Sequence, residues 1–130
     1  MPAFKRLIDA ISNVYKQRGY LIDANSHPFR LRSMHSALNA INQRLGAIVM
    51  KVAQVMLDRA LRGLKYVPGV DYEFLLTVHD EFQLGARTLE IANVIAIEAP
   101  LSIKRAGEML KLHCPLNGAA GIGKTWADTH

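Results

Sequence analysis

Apolar side chains recur at helical spacing near the start of the chain. Positions three and four residues apart fall on one face of a helix, so the repeat predicts an amphipathic helix over residues 3–18. Gly19 follows the last apolar position and is predicted to end the helix. The apolar positions of this repeat are Phe4, Leu7, Ile8, Ile11, Val14 and Tyr15.

A longer apolar repeat begins after Ser33, a residue type that often caps the N-terminus of a helix. Its positions alternate between spacings of three and four residues, which predicts one helix over residues 33–63, ending at Gly63. At about 1.5 Å per residue this helix would be roughly 40 Å long. The apolar positions are Leu38, Ile41, Leu45, Ile48, Val52 and Val55.

Two stretches have the pattern of short β-hairpins. In the first, which completes residues 1–32, β-prone runs flank the turn-forming sequence DANS at residues 23–26. In the second, within residues 70–86, the continuous apolar run FLLTV at residues 74–78 predicts a buried strand, and residues 82–86 can form its return. His79, Asp80 and Glu81 are then predicted to form the turn.

The remaining residues, 88–130, are predicted to form helices and a final strand. A helical stretch begins at Thr88, and Pro100 should kink or split it, because proline lacks the amide proton and clashes with the preceding turn. The sequence LHCPLNG and a glycine-rich end complete the chain. The order of helices and hairpins predicts an α+β fold with an antiparallel sheet.

Composition favours one domain, or a piece of one, because the chain has 130 residues and 50% hydrophobic content. The single cysteine, Cys114, excludes an intramolecular disulfide and fits a reducing cytosol. Charges interrupt the N-terminal apolar positions, and no apolar run reaches the roughly 18 residues of a membrane span. We therefore expect a soluble, cytoplasmic protein without a membrane partner.

Charge is distributed unevenly along the chain. Residues 1–57 carry eight Lys or Arg and only two acids, whereas residues 58–130 carry eight Lys or Arg and nine acids. A basic half of this kind is typical of surfaces that contact phosphates, although ordinary solvated helix faces would give the same count.

The sequence GAAGIGKT at residues 118–125 matches the phosphate-binding pattern of nucleotide hydrolases. That loop works only where a buried strand leads into it and a helix follows it. Five residues remain after Thr125, too few for such a helix, so we expect no ATPase activity.

The acids Asp80 and Glu81 stand together at the predicted turn of the second hairpin. Adjacent carboxylates raise each other's pKa unless a cation or hydrogen-bond donors compensate. Mg²⁺ is a suitable cation because it prefers oxygen ligands and often uses one or two carboxylates together with substrate phosphates. A polar turn without any ligand remains the alternative from these residues alone.

The sequence LLTVHDEFQ resembles motif C of the family A DNA polymerases, which include bacterial DNA polymerase I and phage replicases. Three further segments are similar to this family in the same order: GYLIDANSHPFRLRS, then HSALNAINQRLGAIVMK, then GIGKTWADTH. The resemblance implies a C-terminal palm segment, with an antiparallel hairpin and a C-terminal strand packed against long helices. It also makes the glycine-rich end the last palm strand.

The resemblance implies roles for ten residues. Asp80 and Glu81 would bind catalytic Mg²⁺, and His79 would lie against the primer end. His35, Asn39 and Gln43, at i, i+4 and i+8, would contact the DNA minor groove from one helix face, where base-edge acceptors do not report sequence. Arg30 and Arg32 would join this DNA-binding surface. Trp126 and His130 would serve packing and chain termination.

The resemblance also implies what these residues lack. A motif A aspartate and a nucleotide-binding fingers helix are absent from the 130 residues. We therefore expect a DNA-directed DNA polymerase segment that is inactive alone, and acts on primer–template DNA and dNTP with a complementary fragment carrying motifs A and B. The alternative is a non-catalytic module that binds DNA or a polymerase. Two departures from the family stand out. Arg44 occupies a position where relatives usually have a small residue, and ANSHP occupies the place where phage relatives tend to have a turn that contains a glycine and an arginine.

Overall fold

A computed structural model describes residues 2–129 and divides the chain into two compact units, one ending at Ile48 and one beginning at Val49. The first unit begins with helix α1 (Pro2–Arg18). Gly19 ends α1 with a φ of 74°, and its amide donates to the Tyr15 carbonyl at 2.7 Å. The predicted first helix and its glycine stop are confirmed.

The first predicted hairpin is also confirmed. Strands β1 (Leu21–Ile22) and β2 (Pro28–Phe29) pair antiparallel, with Leu21 opposite Phe29. The Tyr15 hydroxyl lies 3.3 Å from both the amide and the carbonyl oxygen of Leu31, which ties the segment after β2 to α1. The Tyr15 side chain thus links α1 to the segment that follows the first hairpin.

The long helix starts later than the sequence predicts. Ser33 precedes a short 3₁₀ turn, Met34–Ser36, and makes no side-chain capping bond there. Its hydroxyl lies 3.2 Å from the Ser36 hydroxyl instead, and the Ser36 hydroxyl donates to the Ser33 carbonyl. Helix α2 then runs over Ala37–Gly63, so the predicted end at Gly63 is confirmed and the predicted cap is wrong.

The second unit contains a larger hairpin, which we call the acidic hairpin (residues 72–86). Strand β3 (Tyr72–Val78) pairs antiparallel with β4 (Glu81–Ala86), and the register shifts by a bulge between Phe74 and Leu76. The predicted hairpin is confirmed, but the prediction that its first strand is buried is wrong. Leu75, Leu76 and Val78 are 63%, 49% and 45% exposed. A two-stranded sheet leaves part of an apolar strand uncovered unless another layer packs on it.

The core of the second unit lies where α2 and the acidic hairpin meet helix α3 (Leu89–Met109). Thr88 caps α3, because its hydroxyl accepts from the Ile91 amide at 3.2 Å. Pro100 lies inside α3, which continues through it, so the helix is not split. The buried core residues are Leu57, Leu61, Tyr72, Ile91, Ile95 and Ala99.

The predicted C-terminal strand is absent from the described chain. Residues 112–125 pair with no strand, and a short 3₁₀ helix, Trp126–Thr129, follows. Gly118 instead lies tightly on α3: a Cβ there would approach Ile103 Cδ1 to 2.7 Å. A strand needs a hydrogen-bonding partner, and none lies beside this segment within residues 2–129. Trp126 is 62% exposed in the described chain, so its packing role stays a prediction; His130 lies outside the described residues.

Helices and small antiparallel sheets together confirm the predicted α+β class. No helix within residues 2–129 is long and apolar enough to cross a membrane.

Candidate metal and nucleic-acid site

The acidic hairpin presents its acids at the connection between its two strands. Val78 pairs with Glu81, which leaves His79 and Asp80 as a two-residue loop. His79 adopts a left-handed conformation with a φ of 50°, as the first position of tight hairpin loops requires. Glu81 was predicted to lie in the turn, but it is the first residue of β4.

The two carboxylates have different surroundings. Asp80 is exposed and makes no hydrogen bond or ion pair with any residue between positions 2 and 129. Glu81 is half-buried, and its carboxylate accepts a hydrogen bond from the side-chain amide of Gln83. Asp80 therefore offers both carboxylate oxygens to an external ligand, while Glu81 is oriented by its own strand.

An open cavity of about 730 Å³ adjoins these acids. It lies between the acidic hairpin, α3 and the glycine-rich segment, and its lining includes Asp80, Glu81, Leu76, Lys124 and Thr125. Both acids thus face a space large enough for a further polypeptide segment or for part of a ligand.

The donor set fits part of a magnesium site. Mg²⁺ is usually held by one or two protein carboxylates, with waters and substrate phosphates completing its coordination. Asp80 and Glu81 supply such oxygens, but no group of three or more potential ligands gathers within residues 2–129. A site for two metal ions would need further carboxylates from elsewhere.

The base of the acidic hairpin is anchored to α2 by a buried tyrosine. Tyr72 is 2% exposed, and its hydroxyl donates to Asp58 Oδ1 at 2.6 Å. Asp58 Oδ2 accepts from Arg62 Nε at 2.7 Å. The hydrogen bond from Tyr72 lowers the pKa of Asp58 against the opposing effect of burial, with a further contribution from Arg62. Near the loop, the side-chain amide of Gln54 donates to the Thr77 hydroxyl.

The predicted minor-groove residues belong to the first unit. Asn39 and Gln43 are exposed on α2, one turn apart, and His35 is exposed in the 3₁₀ turn that precedes α2. The prediction that all three share one α-helical face is therefore wrong for His35. Arg30 and Arg32 are exposed after β2, and neither makes an ion pair within residues 2–48.

The glycine-rich end does not form a phosphate-binding loop. The amides of Lys124 and Thr125 donate to Asp128 Oδ2 at 3.0 and 2.8 Å, and the Thr125 hydroxyl donates to the same oxygen at 2.9 Å. These bonds, led by that of the Thr125 hydroxyl, lower the pKa of Asp128. A Cβ at Gly123 would clash with Asp128 Cβ. Gly123 makes room for the Asp128 carboxylate, which accepts hydrogen bonds from the amides that a phosphate-binding loop would present to a phosphate.

Comparison with known proteins identifies homologues along most of the chain. It is 31% identical over 88% of its length to the DNA-directed DNA polymerase of Escherichia phage T7, and 31% identical over 99% of its length to that of Escherichia phage Phieco32. It is 30% identical over 89% of its length to DNA polymerase I of Streptococcus pneumoniae. The chain is homologous to a segment of the family A DNA polymerases.

The polymerase segment is short relative to these homologues. It spans 16% of the phage T7 polymerase, 21% of the phage Phieco32 polymerase and 12% of the pneumococcal polymerase I. No protein-family model matches the segment.

The sequence patterns singled out Asp80 and Glu81 as candidate ligands, but they did not predict the contact that anchors the acidic hairpin to α2. Asp58 and Arg62, four residues apart on α2, gave the one available signal, since that spacing favours an ion pair. The Tyr72 hydroxyl joins this pair from 14 residues along the chain, and no local pattern reports such a contact.

Proposed function

We propose that this chain is the C-terminal palm segment of a DNA-directed DNA polymerase. It would supply the motif C carboxylates and minor-groove contacts to the primer–template, and would act in DNA replication with a partner that carries motifs A and B. The exposed carboxylate of Asp80 at the loop of the acidic hairpin, which has no partner within residues 2–129, carries this proposal together with the polymerase homology.

Asp80 and Glu81 are the residues that would hold magnesium. Bound Mg²⁺ would stabilise charge on the attacking and leaving oxygens during nucleotide addition. Asp80 has no internal partner that must first be displaced within residues 2–129, so its carboxylate can ligate directly. Glu81, which Gln83 orients, would support the site from the strand. His79 would contact the primer end from the same loop.

The first unit would supply the DNA-binding surface. The exposed amides of Asn39 and Gln43 can donate to acceptors that are alike in every base pair of the minor groove. His35 would extend this polar surface, while Arg30 and Arg32 would contact phosphates. Such contacts bind a primer–template without selecting its sequence, as a replicative polymerase requires.

The incomplete metal site implies the partner. Paired metal ions need carboxylates on more than one side, and the described residues provide only the adjacent pair Asp80 and Glu81. Beyond Tyr72, which forms a bridge with Pro68, the outer edge of β3 is unpaired within residues 2–129, and the apolar side chains of its later part are exposed. A strand from the motif A fragment can pair with this edge and bring the missing carboxylate beside Asp80.

A chimera tests the proposal. The homologous segment of the phage T7 polymerase is replaced by residues 1–130 of this chain, and primer extension is measured with Mg²⁺ and dNTP. We expect the chimera to extend primers. Asp80→Asn should reduce the extension rate by more than the roughly 10–100-fold that is typical when a residue supporting a metal ligand is replaced. Glu81→Gln should lose less, because Glu81 only supports the site.

Glu73→Gln provides the matched control. Glu73 is another exposed carboxylate on the acidic hairpin, and it lies on β3 away from the loop. This variant should extend primers at the unaltered rate, and circular dichroism should show the same helix content in all variants. Full activity of Asp80→Asn would refute the catalytic proposal. Duplex binding by an inactive chimera would favour the non-catalytic binding module.

A further inference from the structure

We propose that Arg44 is a positioning residue, which clamps the first hairpin to α2 and so sets where Arg30 and Arg32 meet the DNA backbone. The inference rests on the proposed DNA-binding function of the first unit. It assigns to Arg44 a role in orienting the phosphate-binding residues, without a phosphate contact of its own.

Arg44 makes two kinds of contact with the first hairpin. Its Nη2 and Nε atoms lie 2.9 and 3.3 Å from Asp23 Oδ2, so two guanidinium nitrogens donate to one carboxylate oxygen. Its Cζ atom lies 4.5 Å from the centroid of the Phe29 ring, which is the distance of a cation–π contact. The guanidinium is therefore held between the loop and β2.

Asp23 passes this restraint into the hairpin loop. Its Oδ1 atom accepts from the amides of Asn25 and His27, both at 3.0 Å, and its side chain is only 5% exposed. The His27 ring also approaches, with Nδ1 3.9 Å from Oδ1. One carboxylate thus organises residues 23–27 with one oxygen and binds α2 with the other.

The clamp is adjacent in sequence to both parts of the proposed DNA-binding surface. Phe29, under the guanidinium, directly precedes Arg30, and Arg44 directly follows Gln43. Loss of the clamp would let β2 shift on α2, so the phosphate-binding and minor-groove residues would no longer be held at one separation. Arg44 and Asp23 would fix that separation before DNA binds.

Asp23→Asn tests the clamp through the direction of its effect. Removal of an acid near bound DNA ordinarily strengthens binding, because phosphate repulsion is lost. If Arg44 is a positioning residue, Asp23→Asn should instead weaken duplex binding by the full chain, by about fivefold. Arg44→Ala should weaken it by a similar factor, and the double variant should be no weaker than either single variant. Arg44→Lys should restore part of the affinity.

Asp9→Asn and Arg6→Ala are the matched controls. Both side chains are exposed on α1 and make no ion pair within residues 2–48. Asp9→Asn should leave duplex affinity unchanged or raise it, and Arg6→Ala should change it by less than Arg44→Ala. Circular dichroism should be unaltered, while the Asn25 and His27 amides should exchange hydrogen faster in Arg44→Ala than in the unaltered chain.

Three results would overturn the positioning role. Stronger binding by Asp23→Asn, with a salt dependence reduced by about one phosphate contact in Arg44→Ala, would make Arg44 itself a phosphate ligand. Unaltered binding by both variants would overturn the positioning role alone. A chain that binds no duplex before any substitution would refute the proposed DNA-binding surface, and the positioning role with it.

Discussion

Tyr72 shows at the residue scale how the acidic hairpin is fixed to the rest of the second unit. Its ring is part of the buried core, and it packs edge-to-face on Phe74, with centroids 6.3 Å apart. Its hydroxyl satisfies Asp58, which also binds Arg62. One side chain therefore combines apolar burial with a charge-assisted hydrogen bond at the base of the hairpin that carries Asp80.

We predict that Tyr72→Phe destabilises the chain. A hydrogen bond to a charged group contributes about 1.5–3 kcal/mol, and partial exposure of Asp58 places the expected loss near the lower end, at about 1–2 kcal/mol in the free energy of unfolding. Urea unfolding followed by circular dichroism measures the loss. Tyr66→Phe is the control, because Tyr66 packs against the same core and its hydroxyl makes no hydrogen bond within residues 49–129.

The same contact predicts a pH dependence. Burial, reinforced by the hydrogen bond to Asp58, raises the pKa of Tyr72 from 10.0 to about 12. A raised pKa gives stability that is fully present below pH 10 and is lost as pH rises through about 12. Phenolate absorbance should show one tyrosine that titrates late, and Tyr72→Phe should remove that step. A titration unchanged by this substitution would contradict the assignment.

Residue types alone nominated candidate site residues, and contacts between distant residues added others. Asp80 and Glu81 could be predicted because adjacent acids in a turn are costly without a ligand. Arg44 was noted only as a departure from the family, since its partner Asp23 is 21 residues away. A contact across that separation depends on how the hairpin folds onto α2, which no sequence spacing encodes.

At the scale of elements, local signals predicted those whose hydrogen bonds are local. The helices and both hairpins formed, although α2 starts later than predicted, Glu81 belongs to β4 and not to the turn, and α3 is not split at Pro100. The C-terminal strand did not form in the described chain, because a strand depends on a partner that sequence pattern cannot supply. The predicted burial of β3 is wrong for a related reason: an apolar strand is buried only where another layer covers it, and sequence pattern does not report that layer.

Helix α3 provides an element-scale prediction at its N-terminus. The Thr88 hydroxyl accepts from the Ile91 amide at 3.2 Å, so Thr88→Ala should leave that amide without its cap and cost about 1 kcal/mol in the free energy of unfolding. Thr88→Ser keeps the hydroxyl and should retain most of the stability. Thermal unfolding of the two variants gives the comparison, and equal losses would show that the cap does not stabilise α3.

At the scale of the whole molecule, the excess of basic charge and the exposed apolar strand lie in different parts of the chain. The first 57 residues hold eight basic side chains and two acids, whereas the exposed apolar strand β3 lies in the second unit. The basic residues favour DNA contact, and its strength should fall with salt because phosphate contacts release counterions. The apolar strand favours contact with protein, so the two surfaces suit different partners.

The exposed part of β3 predicts that the isolated chain self-associates. Leu75 and Val78 are 63% and 45% exposed, and beyond Tyr72, which forms a bridge with Pro68, the outer edge of β3 is unpaired within residues 2–129. An open apolar edge is a template for pairing with another strand, and in the isolated chain the available strand is that of a second copy. Sedimentation velocity should therefore show association that increases with concentration. The double variant Leu75→Ser with Val78→Ser should reduce it, because both apolar contacts are lost while the backbone edge remains. Leu89→Ser removes an equally exposed leucine from α3 and should leave association unchanged.

Addition of the polymerase fragment with motifs A and B should suppress self-association, since the fragment and a second copy of the chain would compete for the same edge of β3. A chain that stays monomeric, and is indifferent to that fragment, would contradict the proposed partner.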